Sequence, residues 1–237
     1  MDERTMVWLR DSKLTWPIQR FIEKLNLALI SKKSSFEYQL KYFIELFQIE
    51  YLLDIGAHEG EFIQKLDRLQ CSLETVAYEP SQIAVRKLSE RFASKVDIKQ
   101  LAITEDGRTS ELWETGSPFA SLKNRKDKLV GQNSEIVKSI TLQEAAIDLG
   151  REKWASTLLK VDVQGSELEV LRSGGDFLSS VPLVVAEASL QMFYEDASTL
   201  RDIIIFMAES SFSIGGIHTP RFNNGSPLDC DIIFIRG

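Results

Sequence analysis

Apolar residues recur along this chain with two alternating periods. Ile18, Phe21, Ile22, Leu25 and Leu29 follow Pro17 at helical spacing. A second helix starting near Ser35 places Phe36, Leu40, Phe43, Ile44 and Phe47 on one face. Short, nearly continuous apolar runs then take over, as expected of strands covered on both faces of a parallel sheet. They fall near residues 51–55, 75–78, 96–103, 157–163, 181–188, 212–217 and 231–236, which makes seven strands. Helical patterns separate them: 61–69, the stretch after the N-cap candidate Ser81, and 166–172 and 199–210. Thr141-Leu142-Gln143-Glu144 is a capping box opening one more helix, which Gly150 can close. Asp106-Gly107 is a two-residue hairpin signal, so residues 109–113 are expected to return beside the third strand. Strands alternating with helices predict an α/β fold with a Rossmann-like sheet. The two helices before residue 50 form an extension, 1–49, packed on a core domain of residues 50–237.

Bulk properties narrow the class. A chain of 237 residues suffices for one substantial domain. The net charge of −7 argues against broad binding to nucleic acid or anionic membrane. No stretch approaches the ~20 apolar residues of a membrane span. Met1-Asp2-Glu3-Arg4 lacks a signal peptide's basic start, and two cysteines, Cys71 and Cys230, cannot build a disulfide framework, so a cytoplasmic protein is expected. Residues 116–128, with their lysine run, read as a solvated loop. Trp8 and Trp16 read as packing residues.

The chemistry concentrates where strands end. Asp54-Ile55-Gly56-Ala57-His58-Glu59-Gly60 passes from strand through a glycine turn into a helix, a geometry that brings backbone N–H groups to a ligand. The next strand ends in Glu79-Pro80, and its carboxylate lies 25 residues after Asp54, where it can accept from both hydroxyls of a ribose. A nicotinamide dinucleotide would use the same acid, but its pyrophosphate favours Gly-x-Gly-x-x-Gly, and His58 stands at the middle glycine. The Tyr-x-x-x-Lys dyad of one oxidoreductase class does not appear in the expected stretch either. S-adenosylmethionine carries a ribose, a sulfonium and an ammonium but no phosphate, and it fits this turn best. Asp54 would orient the turn or the ammonium.

A second cluster follows at the far strands. Asp162 ends one apolar run and Glu187 another, and a carboxylate buried without a partner costs several kcal/mol or shifts its pKa. His218 opens a turn-rich loop, residues 218–227, of the kind that lines substrate sites. Asp162, Glu187 and His218 are therefore the catalytic candidates. Asp162 and Glu187, joined by Asp229 or His218, could alternatively ligate a divalent cation. A catalytically silent adenosyl-ligand binding protein is the reading outside enzymology.

Taken together, these residues resemble the FkbM-type S-adenosylmethionine-dependent methyltransferases. The matching pieces are the glycine turn, Tyr78-Glu79-Pro80, Leu101-Ala102, and the block Lys160-Val161-Asp162-Val163-Gln164-Gly165-Ser166-Glu167, with Glu187 ending its strand. Gln164 departs from the Glu more usual there, and Gln143 from an Asp. The resemblance implies a seven-stranded, mostly parallel class I methyltransferase sheet whose last strand is antiparallel. It also implies O-methylation of a sugar, glycolipid or other natural product, with S-adenosylhomocysteine as the by-product. Gly56, Ala57, His58 and Gly60 would then approach the methionine portion, Glu79 the ribose, Pro80 and Ala102 the adenine, and Asp162 the methyl group.

Overall fold

A computed structural model of the protein describes residues 35–113, 120–123, 134–191, 197–223 and 225–237. The helix expected at 18–29, Trp8, Trp16 and most of the lysine run lie outside them. The chain enters with α1 (Phe36–Leu46), N-capped by Ser35, whose side chain accepts from the Tyr38 N–H. There follow β1 (Tyr51–Ile55), α2 (Glu61–Arg68), β2 (Glu74–Tyr78), α3 (Gln82–Phe92), β3 (Val96–Lys99), β4 (Ala102–Ile103), β5 (Ser110–Trp113), β6 (Ser134–Val137) and β7 (Ser139–Ile140). After α4 (Leu142–Leu149) and a 3-10 turn come β8 (Thr157–Val161), α5 (Glu167–Arg172), α6 (Gly175–Leu178), β9 (Leu183–Ser189), α7 (Leu200–Glu209), β10 (Phe212–Ile217), β11 (Phe222–Asn223), β12 (Ser226–Pro227) and β13 (Asp229–Arg236).

Seven strands make one sheet in the order β10-β13-β9-β8-β1-β2-β3. β1 pairs parallel with both β2 and β8, and β13 inserts antiparallel between β9 and β10. The expected α/β architecture with an antiparallel last strand is therefore what forms. Burial explains why those runs are apolar: Leu52, Leu53, Leu158, Leu159, Val184 and Ile233 are each fully buried. Alternate residues feed two cores, Leu53 and Ile55 facing the α4–α5 side and Leu52 facing α1, α2 and α3.

Two local expectations fail. The third strand does not run unbroken from 96 to 103. It stops at Lys99, and Ala102–Ile103 pairs instead with Ser139–Ile140. Asp106-Gly107 does form a turn, with Gly107 at φ 69°, yet Ser110–Trp113 pairs with Ser134–Val137 rather than folding back on the third strand. The turn signal is local, whereas a short strand pairs with whichever edge the packing presents. The capping box at Thr141 forms as read, and Thr199 with Asp202 builds a second one. No described helix is long and apolar enough to cross a membrane.

α1 lies against the edge strand β10. Its Phe43 ring and Gln39 side chain occupy the space above Gly215 and Gly216, where added Cβ atoms would come within 2.8 and 2.2 Å of them. At its other end the Phe36 ring meets His218 edge-on at 5.2 Å.

Candidate methyltransferase active site

At the end of β1 the backbone turns through Gly56 at φ 77°. A Cβ there would stand 1.8 Å from the Asp162 carbonyl oxygen, so only glycine lets this turn rest on the end of β8. The turn is then fastened to β2. Gly56 and Ala57 N–H groups both donate to the Tyr78 carbonyl, at 2.9 and 3.1 Å. His58, held at φ 47°, donates its N–H to Glu79 Oε2 at 2.8 Å, and the Ser81 N–H takes Oε1 at 2.8 Å. The N–H groups that the sequence seemed to offer a ligand are thus used to lock the turn in place. Burial pushes the Glu79 carboxyl above the usual carboxylate range, against the pull of those two N–H donors.

The strand ends enclose a cavity of about 460 Å³, within the ~300–1,000 Å³ of small-molecule sites. Gly56, Ala57, His58, Glu79, Pro80, Ala102, Asp162, Glu187 and His218 all border it. Two expected residues do not. Gly60 is the left-handed N-cap of α2, and a Cβ on it would strike Phe92 and Leu88 of α3 at 2.6 and 2.8 Å, so its role is to seat one helix on the next. Asp54 is completely buried beneath the floor, where it meets Lys160 Nζ at 3.4 Å. It cannot touch a ligand's ammonium directly. Burial raises its pKa, and Lys160 opposes that rise.

Opposite the glycine turn, charged side chains make the wall. Lys160, at the end of a fully buried strand, sets Nζ 2.9 Å from the Gly56 carbonyl and 3.3 Å from Asp162 Oδ2. The Gln164 amide donates to Asp162 Oδ1 at 2.8 Å and to Glu187 Oε2 at 2.7 Å. Arg221 Nη2 donates to Glu187 Oε1 at 2.8 Å and to Asp229 Oδ2 at 2.7 Å. Beneath them Glu167 accepts from the Val163 and Gly165 N–H groups, capping the turn after Asp162.

These contacts split the acids. Burial alone would raise Asp162, but Lys160 and the Gln164 amide hold it below the usual range. Glu187 is pushed well up by burial and then by the neighbouring Asp162, Glu167 and Asp229 carboxylates, with Arg221 opposing. Burial lifts Glu167 to about 7. One acid kept ionised beside another with raised proton affinity is the pattern that separates electrostatic from acid–base roles.

The cation grouping read from the sequence does not assemble in that form. Among the described residues, the carboxylates whose oxygens come within 4.8 Å of one another belong to Asp162, Glu167 and Glu187. Asp229 is engaged by Arg221, and His218 lies with its ring against α1 and Nε2 3.8 Å from Glu37. Between Asp162 and Glu187 stands an amide donor, the opposite polarity to a ligand cage. Sequence reasoning missed Lys160, Gln164, Glu167 and Arg221 as working residues. A lysine inside an otherwise apolar strand was a signal for the first, whereas nothing local marks Arg221.

Several solved structures are similar to this chain. Magnesium protoporphyrin IX methyltransferase from Synechocystis PCC 6803, with bound S-adenosylmethionine, is 12% identical; the match covers 100% of this chain and 98% of that one at a TM-score of 0.46. A Klebsiella pneumoniae protein assigned as an O-methyltransferase is 12% identical over 84% of this chain and 79% of its own, at 0.48. A Streptococcus pneumoniae protein assigned as a tRNA methyltransferase, in complex with S-adenosylmethionine, is 11% identical over 84% and 72%, at 0.47. Among curated proteins none matches this chain. The model of the methyltransferase FkbM domain matches residues 54–214, from Asp54 in β1 into β10, and the chain belongs to that family of S-adenosylmethionine-dependent methyltransferases.

Proposed function

We propose that this methyltransferase acts on a hydroxyl of a small-molecule or glycan acceptor, a sugar, glycolipid or other natural product, in the cytoplasm. The observation that carries the reading is the pairing of Asp162 and Glu187 on one cavity, bridged by Gln164, with their proton affinities driven apart. A hydroxyl acceptor needs a base, and an acid with raised proton affinity in the cavity wall is suited to that task.

Once bound, S-adenosylmethionine supplies a methyl group on a sulfonium, and S-adenosylhomocysteine is what remains. Glu79 keeps lone pairs beyond those used by His58 and Ser81, and these accept from the ribose hydroxyls. Pro80 and Ala102, with Leu101 and Ile103 beside them, give an apolar slot for adenine. Asp162 sets a fixed negative charge at the cationic end. Glu187 would take the acceptor's proton, while Arg221 and Gln164 hold the carboxylate in aim. Alignment is the larger part of the catalysis, because the methyl group is already activated. His218, turned toward α1, serves the acceptor mouth rather than the proton. Residues 1–49 extend the catalytic body of residues 50–237.

Calorimetric titration with S-adenosylmethionine tests the donor site. Glu79→Ala should weaken binding about 10- to 100-fold, since a hydrogen bond to a charged group contributes roughly 1.5–3 kcal/mol. Binding of NAD in its place, or indifference to the substitution, overturns the reading. Donor binding without turnover of any hydroxyl acceptor would favour the silent binding protein.

A further inference from the structure

Lys160 has no part in the steps above, yet it is the cation around which the floor of the cavity is built. Its side chain is 8% exposed, and three oxygens surround the ammonium: the Gly56 carbonyl at 2.9 Å, Asp162 Oδ2 at 3.3 Å and Asp54 Oδ1 at 3.4 Å. The first is a hydrogen bond and the other two are ion pairs, and the fully buried Asp54 oxygens take no hydrogen bond of their own. The three oxygens differ in what else holds them. The glycine turn is independently fastened to Tyr78 and Glu79. Asp54 sits inside a strand whose backbone pairs on both sides. The Asp162 carboxylate is different: it lies past the end of β8, with Oδ1 on the Gln164 amide and Oδ2 on Lys160. Remove Lys160 and one oxygen of Asp162 loses its partner, and the carboxylate can rotate about its own side chain.

We infer that Lys160 is a positioning residue for the methyl donor, acting through Asp162, with Asp54 as the buried partner that keeps its ammonium under the floor. Of the two carboxylates beside the ammonium, the one able to face the cavity is Asp162, whose side chain is 30% exposed while that of Asp54 is 0% exposed. Negative charge is thereby presented to the ligand side at a fixed place. A lysine suits the task better than an arginine, because a compact ammonium can satisfy acceptors in three directions whereas a guanidinium works in one plane.

The inference rests on the proposed placement of the donor against Asp162, and a double-mutant cycle separates the two. S-adenosylmethionine is titrated by calorimetry into the wild-type chain, Lys160→Met, Asp162→Asn and the double variant. Each single substitution should weaken binding about tenfold, and the double should fall within about threefold of either single, as coupled groups do. Losses that multiply in the double variant, or a Lys160→Met affinity equal to wild type, overturn the positioning role alone. Failure of the wild-type chain to bind the donor, or indifference to Asp162→Asn, overturns the donor placement as well. Should Lys160→Met not fold because Asp54 is left buried without its cation, the same cycle is run in an Asp54→Asn background. In its Lys160→Met member the one charged side chain left of the trio is the partly solvated Asp162, and melting curves confirm that each variant is folded.

Discussion

The two walls of the crevice are held by different means. Between β1 and β2 main-chain donors do most of the holding: the Tyr78 carbonyl accepts from two N–H groups of the glycine turn, and the Glu79 carboxylate accepts from the His58 N–H and from that of Ser81. Between the ends of β8, β9 and β13 side chains do it, with Gln164 spanning two acids and Arg221 spanning another pair. A wall of backbone cannot be altered without disturbing the fold that makes it. A wall of side chains can be rebuilt residue by residue. On the proposed reading, donor recognition is accordingly tied to folding, and acceptor recognition is laid over it.

The comparison breaks most visibly at Gly56. Alanine there would need its Cβ 1.8 Å from a backbone oxygen, at a φ of 77°. Gly56→Ala should cost about 3–5 kcal/mol and abolish donor binding together, since the backbone of two strands has to part. Thermal melting and calorimetry read both; a folded variant that still binds S-adenosylmethionine would erase the distinction between the walls.

On the opposite wall the effects should follow pH instead. Glu167, lifted by burial from its ordinary value of 4.5 to about 7, binds a proton more readily folded than unfolded. Its contribution to stability is whole below pH 4.5 and is lost as pH rises through 7. Glu167→Gln removes that loss, so the variant should gain on wild type by on the order of 2–3 kcal/mol between pH 4.5 and 8. Paired melts across that range check it, and a pH-independent difference would place the carboxyl outside the charged cluster.

A smaller effect is expected at Arg221, whose side chain is 56% exposed and therefore well screened. Without its guanidinium the Glu187 carboxyl rises further, and ionising it then costs more as pH climbs. Arg221→Ala should destabilise by about 1 kcal/mol at pH 8 and by less at pH 5. Donor affinity should stay within about threefold of wild type. Loss of donor binding would mean that the side-chain wall also shapes the donor pocket.

The inner strands were legible in the sequence because they are buried on both faces and have to be apolar nearly throughout, as Leu158, Leu159 and Val161 show, whereas the edge strands β3 and β10 are largely half-buried or exposed. The glycine turn was legible because few residues other than glycine accept its left-handed backbone. What misled was locality. Asp106-Gly107 specifies a turn, but the partner of β5 comes from residues 134–137, which only packing could select. Asp54 reads as a site residue from its place near a strand end, yet whether such a carboxylate faces the crevice or the floor depends on its neighbours in the sheet.

By itself, then, the order of apolar runs, turns and strand-end acids determined the sheet, the crevice and the donor class, since each follows from the burial or backbone conformation of a few adjacent residues. The tertiary structure decided the rest: that Lys160 lies beneath Asp162, that Gln164 stands between two acids, and that Arg221 reaches Glu187 from 34 positions away. Those contacts exist because β13 inserts between β9 and β10 and brings distant loops to one rim, and no local pattern encodes a distance across a sheet.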